Sequence, residues 1–323
     1  MATPGQDKHE STRSGQIDLG ASMAAVTEAA AIAATGWIGL GRKEDGDGAA
    51  VEAMRAAFAG QPVSATIVIG EGEKDDAPML YSGEKLGKGG PALDIAVDPV
   101  EGTNYLAKGM PGAIAVLAAS PEGTMFRPKS AFYMDKLVVP PVAANAIDPE
   151  APVGDRLRTL ARALGKAVKE IRVFVLERPR HQQLISDIHE AGASVRLAPD
   201  GDVLGSIKAL LGERVDALMG IGGTPEGVIS ACAARALGAG MWGAMAPQSD
   251  QERARVERDG LKPGQILTRD ELIASDEVMF AATGITGDDM LEGVRYTGGR
   301  VLTETLLIGN GMLRWVRTER NHT

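Results

Sequence analysis

An α/β chain, with an α+β lobe first and an α/β lobe after it, is the fold class that three features of the sequence predict. Between about residues 155 and 244, apolar runs of strand length alternate with helix-length stretches, the rhythm of a parallel sheet built by right-handed crossovers. The earlier part of the chain has strand-like runs without that alternation, and Pro140-Pro141 separates the two parts. At 323 residues the chain is long for one hydrophobic core, so two lobes are expected. They are placed at 19–145 and 146–323, behind a segment at 1–18 expected to be disordered because it is polar and has no apolar period.

The elements follow in order. A helix is predicted over about Ala21–Gly36, a loop over Gly39–Gly48 and a second helix over Gly48–Phe58. Strands are predicted at Thr66–Ile69, Asp94–Val97, Ala113–Ala118 and Lys136–Val139. After the double proline come helix Asp155–Val168, strand Arg172–Leu176, helix His181–Ala191, strand Ser194–Leu197 and helix Val203–Leu211. Strand Asp216–Met219, helix Pro225–Leu237 and strand Met241–Ala244 complete the alternation. The charged stretch Gln248–Arg269 reads as a solvated excursion, and Val278–Ala282 as a strand. Gly309-Asn310-Gly311 between Val301–Ile308 and Met312–Arg317 signals a hairpin.

Composition excludes several function classes. A net charge of -9 and only 4% aromatic residues disfavour a nucleic-acid partner, which needs cations and stacking faces. The single cysteine, Cys232, lies in an apolar helical run and reads as core packing, which excludes a disulfide framework and fits a reducing, cytoplasmic compartment. The Ala-rich stretch Ala21–Trp37 is interrupted by Glu28 and hydroxyl residues, so it reads as an amphipathic helix of a soluble protein and not as a membrane span.

The chemistry is sought where the strands end, because ligands of open α/β sheets bind outside the carboxyl ends of strands. Gly70-Glu71-Gly72-Glu73 follows the first strand and Asp98-Pro99-Val100-Glu101-Gly102-Thr103 the second. Arg178-Pro179-Arg180, Asp200-Gly201-Asp202 and Gly220 to Gly227 follow three strands of the second lobe. Asp98 and Glu101, three apart with Pro99 stiffening the turn, suit a hard cation. Gly102 lets the backbone pass close to a ligand, and Thr103 supplies a hydroxyl able to align a water. Taken alone, such a pair reads more readily as a solvated turn with Thr103 capping a helix. Glu71, flanked by glycines, has an unshielded carboxylate; Glu73, Asp75 and Asp76 read as solvated face. Asp47, between Gly46 and Gly48, reads by itself as a helix N-cap. The Arg178 and Arg180 forks suit phosphate oxygens, while His181 reads as a surface residue at a helix start. Gly222-Gly223-Thr224 before Pro225 reads as a helix N-terminus able to meet phosphate, with Glu226 in its first turn. A dinucleotide fingerprint fails there, because Pro225 stands where the third glycine belongs.

Together these motifs resemble the class II fructose-1,6-bisphosphatases of bacteria, within the lithium-sensitive, magnesium-dependent phosphomonoesterase superfamily. The resemblance runs in motif order from Trp37–Ala50 through Ile69–Asp75, Ala77–Tyr81, Asp98–Thr103, Arg178–His181, Pro199–Asp202 and Gly220–Gly227 to Ala282–Thr286. It implies a sugar-phosphatase fold of stacked helix and sheet layers. It also implies two or more Mn²⁺ or Mg²⁺ ions, with Asp47 and Glu71 holding one and Asp98, Glu101 and Glu226 another. Substrate contacts are implied at Gly102, Thr103, Tyr133, Arg178, Pro179, Arg180, Asp200, Gly201, Asp202 and Gly223. Thr103 and Lys43 are the implied catalytic residues, with Lys43 near the metal and phosphate. Glu101 stands where many superfamily members have Asp, and Arg178 where several relatives have Lys. The implied activity is removal of the 1-phosphate of fructose 1,6-bisphosphate in gluconeogenesis, with the sugar bisphosphate and further copies of the chain as expected partners. A sedoheptulose-1,7-bisphosphatase, a bifunctional enzyme and a non-catalytic sugar-phosphate sensor remain the alternatives.

Overall fold

The computed structural model describes residues 7–72, 79–309 and 311–322, with side chains from Leu19 onward. In chain order the first part contains α1 (Asp7–Ala34), α2 (Lys43–Ala59), β1 (Ser64–Ile69), β2 (Lys85–Leu86), β3 (Ala92–Glu101), α3 (Thr103–Lys108) and β4 (Ile114–Pro121). The middle part contains β5 (Tyr133–Val139), α4 (Val153–Leu164), β6 (Arg172–Leu176), α5 (Gln182–Glu190), β7 (Ser194–Ala198), α6 (Asp202–Leu211), β8 (Ala217–Gly223), α7 (Thr224–Leu237) and β9 (Gly240–Met245). The last part contains α8 (Asp250–Arg258), β10 (Ile266–Thr268), α9 (Arg269–Leu272), β11 (Met279–Gly284), β12 (Arg295–Thr297), β13 (Arg300–Gly309) and β14 (Met312–Asn321).

The strands form two mixed sheets. One runs β12-β13-β11-β4-β3-β1-β2, with β14 also paired to β13; the other runs β10-β9-β5-β8-β6-β7. Period-2 alternation sorts their side chains into layers. On β4, Ala115, Leu117 and Ala119 face α1 and α2, through Met23, Val26, Met54 and Phe58. Ile114, Val116 and Ala118 face the other way, into a core shared with α6, α7 and the second sheet. On β6 and β8, Val173, Val175, Ala217 and Met219 face α4 and α5, while Phe174 and Leu218 face the shared core. The result is five layers: α1 and α2, first sheet, α6 and α7, second sheet, α4 and α5.

Several expectations are corrected. The sheets do not divide the chain at residue 145: β5 joins the second sheet, and β11 to β14 return to the first. The second sheet is not wholly parallel. Strands β6, β7 and β8 are parallel neighbours, but β5 is antiparallel to both β8 and β9 and lies between them. The four strands of the alternating region therefore share one direction, and a strand from before the double proline is wedged among them. Helix α2 begins at Lys43, not Gly48. Gly46, which reads as loop, is the contact that lets α2 approach α3: a Cβ there would lie 2.6 Å from Leu106 Cδ2. The backbone of 7–18 belongs to α1, where a disordered segment was expected; residues 1–6 lie outside the described residues. Missing apolar period removes burial, yet a helix already nucleated extends by one hydrogen bond per residue.

Leu19–Trp37 is long and apolar enough to cross a bilayer by length and composition alone, although the sequence predicts an amphipathic helix there. Its apolar character is spent inside the protein, where Met23, Val26, Ala30, Ala31 and Ala34 are fully buried. The same helix buries Thr27, which hydrogen-bonds Thr283 at 2.7 Å, and Glu28, which is bound by Arg320 and, at 2.6 Å, by the Thr318 hydroxyl. These contacts tie α1 to β11 and β14. Arg320→Met would leave the enclosed Glu28 carboxylate without its cation. We expect a loss of about 2 kcal/mol in a urea titration, less than for a fully enclosed pair because the guanidinium is half exposed.

Candidate active site

A pocket of about 500 Å³ opens where the ends of β1, β3, β6, β7 and β8 meet. Thirteen of the sixteen residues singled out from the sequence line it: Asp47, Glu71, Asp98, Glu101, Gly102, Thr103, Tyr133, Arg178, Arg180, Asp200, Asp202, Gly223 and Glu226. Lys43, Pro179 and Gly201 do not. Lys43 is exposed on the first turn of α2, one turn before Asp47; Pro179 is exposed, and Gly201 is buried behind the loop. Glu73, Asp75 and Asp76 lie outside the described residues.

The acid pair of the Asp98–Thr103 motif is not a turn after a strand but the end of β3 itself. Two side chains three residues apart on a regular strand point to opposite faces. Here β3 pairs Asp98 with Val116 and Glu101 with Ile114, so three steps on β3 oppose two on β4. This bulge contains Pro99, which has no N–H to give to a ladder. Val116 and Ile114 both belong to the inter-sheet core, and residues opposite each other share a face. The bulge therefore turns both carboxylates inward, to the pocket.

Two helix caps cross between the sheets. Glu101 Oε1 accepts the Val203 N–H of α6 at 3.1 Å. Asp200 Oδ2 accepts the Asn104 N–H of α3 at 3.2 Å and the Asn104 side-chain amide at 3.0 Å. The Asp200 carbonyl also accepts from Tyr105 OH at 2.8 Å. Gly102 and Gly201, the residues just before the two helices, are both left-handed, with φ of 85° and 84°. Thr103 is thus the first residue of α3, and its hydroxyl has no hydrogen-bond partner among the described residues, so it is not a cap. Nor is Asp47 a cap; it is the fifth residue of α2.

The glycine run after β8 serves close contacts. A Cβ at Gly223 would lie 1.8 Å from Glu226 Oε2, and one at Gly222 1.9 Å from Asp202 Oδ2. His181, expected at the surface, is buried against the same strand. Its Nδ1 lies 2.6 Å from the Leu176 carbonyl and its Nε2 accepts the Ile221 N–H at 2.8 Å, which requires a neutral ring protonated on Nδ1. Burial likewise pushes its pKa down. Arg180 donates to the Ile221 carbonyl at 2.8 Å and stacks over Tyr133 at 5.2 Å, while Arg178 donates to the Pro199 carbonyl at 2.7 Å. The sequence reading missed Lys136 and Asn104. A lysine directly before the apolar run Leu137–Val139 is the signal that marks Lys136.

Seven carboxylates and two arginines line this pocket. Burial first, and then repulsion from neighbouring acids, raises the pKa of Asp98 and Glu101 well above the usual range. Burial and the adjacent Asp47 push Glu71 up to about 8. Glu101 Oε2 and Glu226 Oε2 are buried and have no hydrogen-bond partner among the described residues. Unpaired carboxylate oxygens beside other acids are chemistry that fits a hard cation. Among the described residues no three acid, histidine or cysteine side chains converge closely enough to wrap one ion. Waters and substrate oxygens would complete each shell, as is usual for Mg²⁺. A larger cavity of about 820 Å³ lies behind the Pro199–Gly201 loop. Its cations Arg196, Lys208 and Arg295 are already paired with Asp288, Asp289 and Glu292, so it is not the seat of this chemistry.

The crossed cap yields a test. Asp200→Ala should lower stability by about 1 kcal/mol, read from a thermal or urea melt, because α3 loses its acceptor. Asp200→Asn keeps an acceptor oxygen and should recover most of that loss.

Residues 17–320 match the family described as bacterial fructose-1,6-bisphosphatase, glpX-encoded. Over 315 residues, covering 93% of each chain, the protein is 44% identical to "Fructose-1,6-bisphosphatase 1 class 2" of Escherichia coli K12. The same identity and coverage hold for the "Fructose-1,6-bisphosphatase class 2" proteins of Escherichia coli O6:H1 and Shigella flexneri. A match across almost the whole chain, over a pocket of clustered carboxylates, makes this protein a member of the bacterial class 2 fructose-1,6-bisphosphatase family.

Proposed function

We propose that this chain hydrolyses the 1-phosphate of fructose 1,6-bisphosphate to fructose 6-phosphate and phosphate, as a cytoplasmic step of gluconeogenesis. The observation that carries the reading is a single pocket in which acids from both sheets face an arginine pair. Asp47 and Glu71 would hold one divalent cation, and Asp98, Glu101 and Glu226 would draw together around a second, with Mn²⁺ or Mg²⁺ suited to oxygen-only donors. Such cations, when bound, neutralise phosphoryl oxygens and make water a better nucleophile.

The chain's own residues supply the rest. Thr103 stands at the pocket with a free hydroxyl, suited to hold the attacking water in line with the phosphorus–oxygen bond that breaks. Helices α6 and α7 begin at the pocket, so their N-terminal ends favour phosphate charge. Arg178 and Arg180 each keep guanidinium nitrogens beyond those bound to backbone carbonyls, and these suit the second phosphate. Asp202 would accept a sugar hydroxyl. Asp200 has one oxygen committed to α3, so its contribution is to hold Thr103 as much as to meet sugar.

Phosphate release from fructose 1,6-bisphosphate, assayed with Mn²⁺ or Mg²⁺, should be abolished by a chelator and restored by adding either ion. Full activity in metal-free buffer would sink the metal assignment, and binding without turnover would leave the sugar-phosphate sensor. Faster turnover of sedoheptulose 1,7-bisphosphate would change the named substrate.

The role of Thr103 is separable. Thr103→Ala should lower kcat about a hundredfold with a smaller change in KM, whereas Thr103→Ser should retain most activity. Near-normal kcat in the alanine variant would remove the hydroxyl from the mechanism.

A further inference from the structure

Lys136 stands where the fold asks for an apolar residue. On β5, Met134 and Val138 point into the core between the sheets, and Lys136 shares their face. Its side chain is 1% exposed. The ammonium donates to Asp202 Oδ2 at 2.5 Å and to the Gly223 carbonyl at 2.8 Å. Both partners line the pocket, which Lys136 itself does not touch.

We propose that Lys136 is a positioning residue of this site: from beneath, its ammonium fixes the Asp202 carboxylate and the Gly223 carbonyl in the orientation that receives the sugar. The proposal rests on the sugar-bisphosphatase reading above. Three observations carry it. A buried ion pair can usually be exchanged for apolar side chains of similar volume without loss of stability, so packing alone does not call for this one. Only one oxygen of Asp202 is engaged, leaving Oδ1 free to accept a hydroxyl of a ligand in the pocket. The glycines around the pair leave it room: a Cβ at Gly222 would lie 1.9 Å from Asp202 Oδ2 and 2.9 Å from Lys136 Nζ. The same ammonium anchors the residue before α7, whose first turn carries Glu226. One cation beneath the floor thus sets two neighbouring parts of the wall.

The test compares Lys136→Met, Asp202→Asn and the double variant on two substrates. One is whichever sugar bisphosphate, fructose 1,6- or sedoheptulose 1,7-, the wild type hydrolyses; the other is p-nitrophenyl phosphate, which has no sugar hydroxyls. Lys136→Met should raise KM for the sugar at least tenfold, with a smaller fall in kcat, and leave KM for the nitrophenyl ester within about threefold. The double variant should be no worse in sugar KM than the worse single variant, because the two side chains act as one unit. Wild-type sugar KM in Lys136→Met overturns the proposal, as does an equal change on both substrates that tracks a lowered melting temperature. If Lys136→Met does not fold, Gly222→Ala answers the same question, since its methyl displaces the pair without removing either charge. It should give the same selective rise in sugar KM, and a wild-type value overturns the proposal. Wild-type protein that hydrolyses neither bisphosphate overturns the enzymatic reading, an outcome distinct from any result on the variants.

Discussion

The crossed pair of caps is the constraint on which the site depends. Glu101, from the first sheet, holds the start of α6; Asp200, from the second, holds the start of α3. Each carboxylate satisfies backbone N–H groups that would otherwise be orphaned at a helix end. Each therefore places the other sheet's pocket wall. Neither half of the pocket is complete alone, since Thr103 rides on a helix capped from the far side and Asp202 begins a helix held by the near side. Hydrogen bonds are directional where apolar contacts are not, so these caps, at 3.0 to 3.2 Å, fix the acid wall relative to the arginine wall more tightly than apolar packing could.

The bulge in β3 is the local device that makes this possible. It spends one ladder position to bring Asp98 and Glu101 onto a common face, and it uses a proline where a pairing N–H is not needed. The cost is electrostatic. Burial, and then the carboxylates driven together in the pocket, raise the pKa of Asp98 and Glu101, and the Glu101 and Glu226 Oε2 atoms have no partner among the described residues. The fold answers with positive potential from several directions: helix starts at α6 and α7, the arginine pair, and Lys136 under the floor. Only Lys136 is fully enclosed, and an enclosed charge is the least screened by solvent.

Around that centre the layers are ordinary sheet and helix packing, and they account for the glycines. Gly46 admits Leu106 between α2 and α3, and Gly223 admits the Glu226 carboxylate. Both read as loop or phosphate cradle in one dimension, because a glycine that opens a turn and a glycine that allows close approach look alike there. His181 misleads for a similar reason. Its polarity suggests a surface, yet its two ring nitrogens bridge the ends of β6 and β8 and make it part of the buried scaffold.

The sequence by itself determined the elements and the chemistry at their ends. Strand Arg172–Leu176 was read to the residue, most helices to within a few, and thirteen of the sixteen named site residues line one pocket. Periodicity reports which face of an element is buried, and strand ends are where an α/β sheet presents ligands. Only the tertiary structure decided how the pieces are distributed: β5 wedged between β8 and β9, and the last four strands returned to the first sheet. It also decided which acids are free and which are committed. Asp200 is engaged by α3 and Asp202 by Lys136, while Glu101 keeps one oxygen open. Those outcomes depend on partners about 65 to 100 residues away in the chain. A local pattern carries no information about which distant donor will reach a carboxylate, because strand pairing and helix docking set that distance.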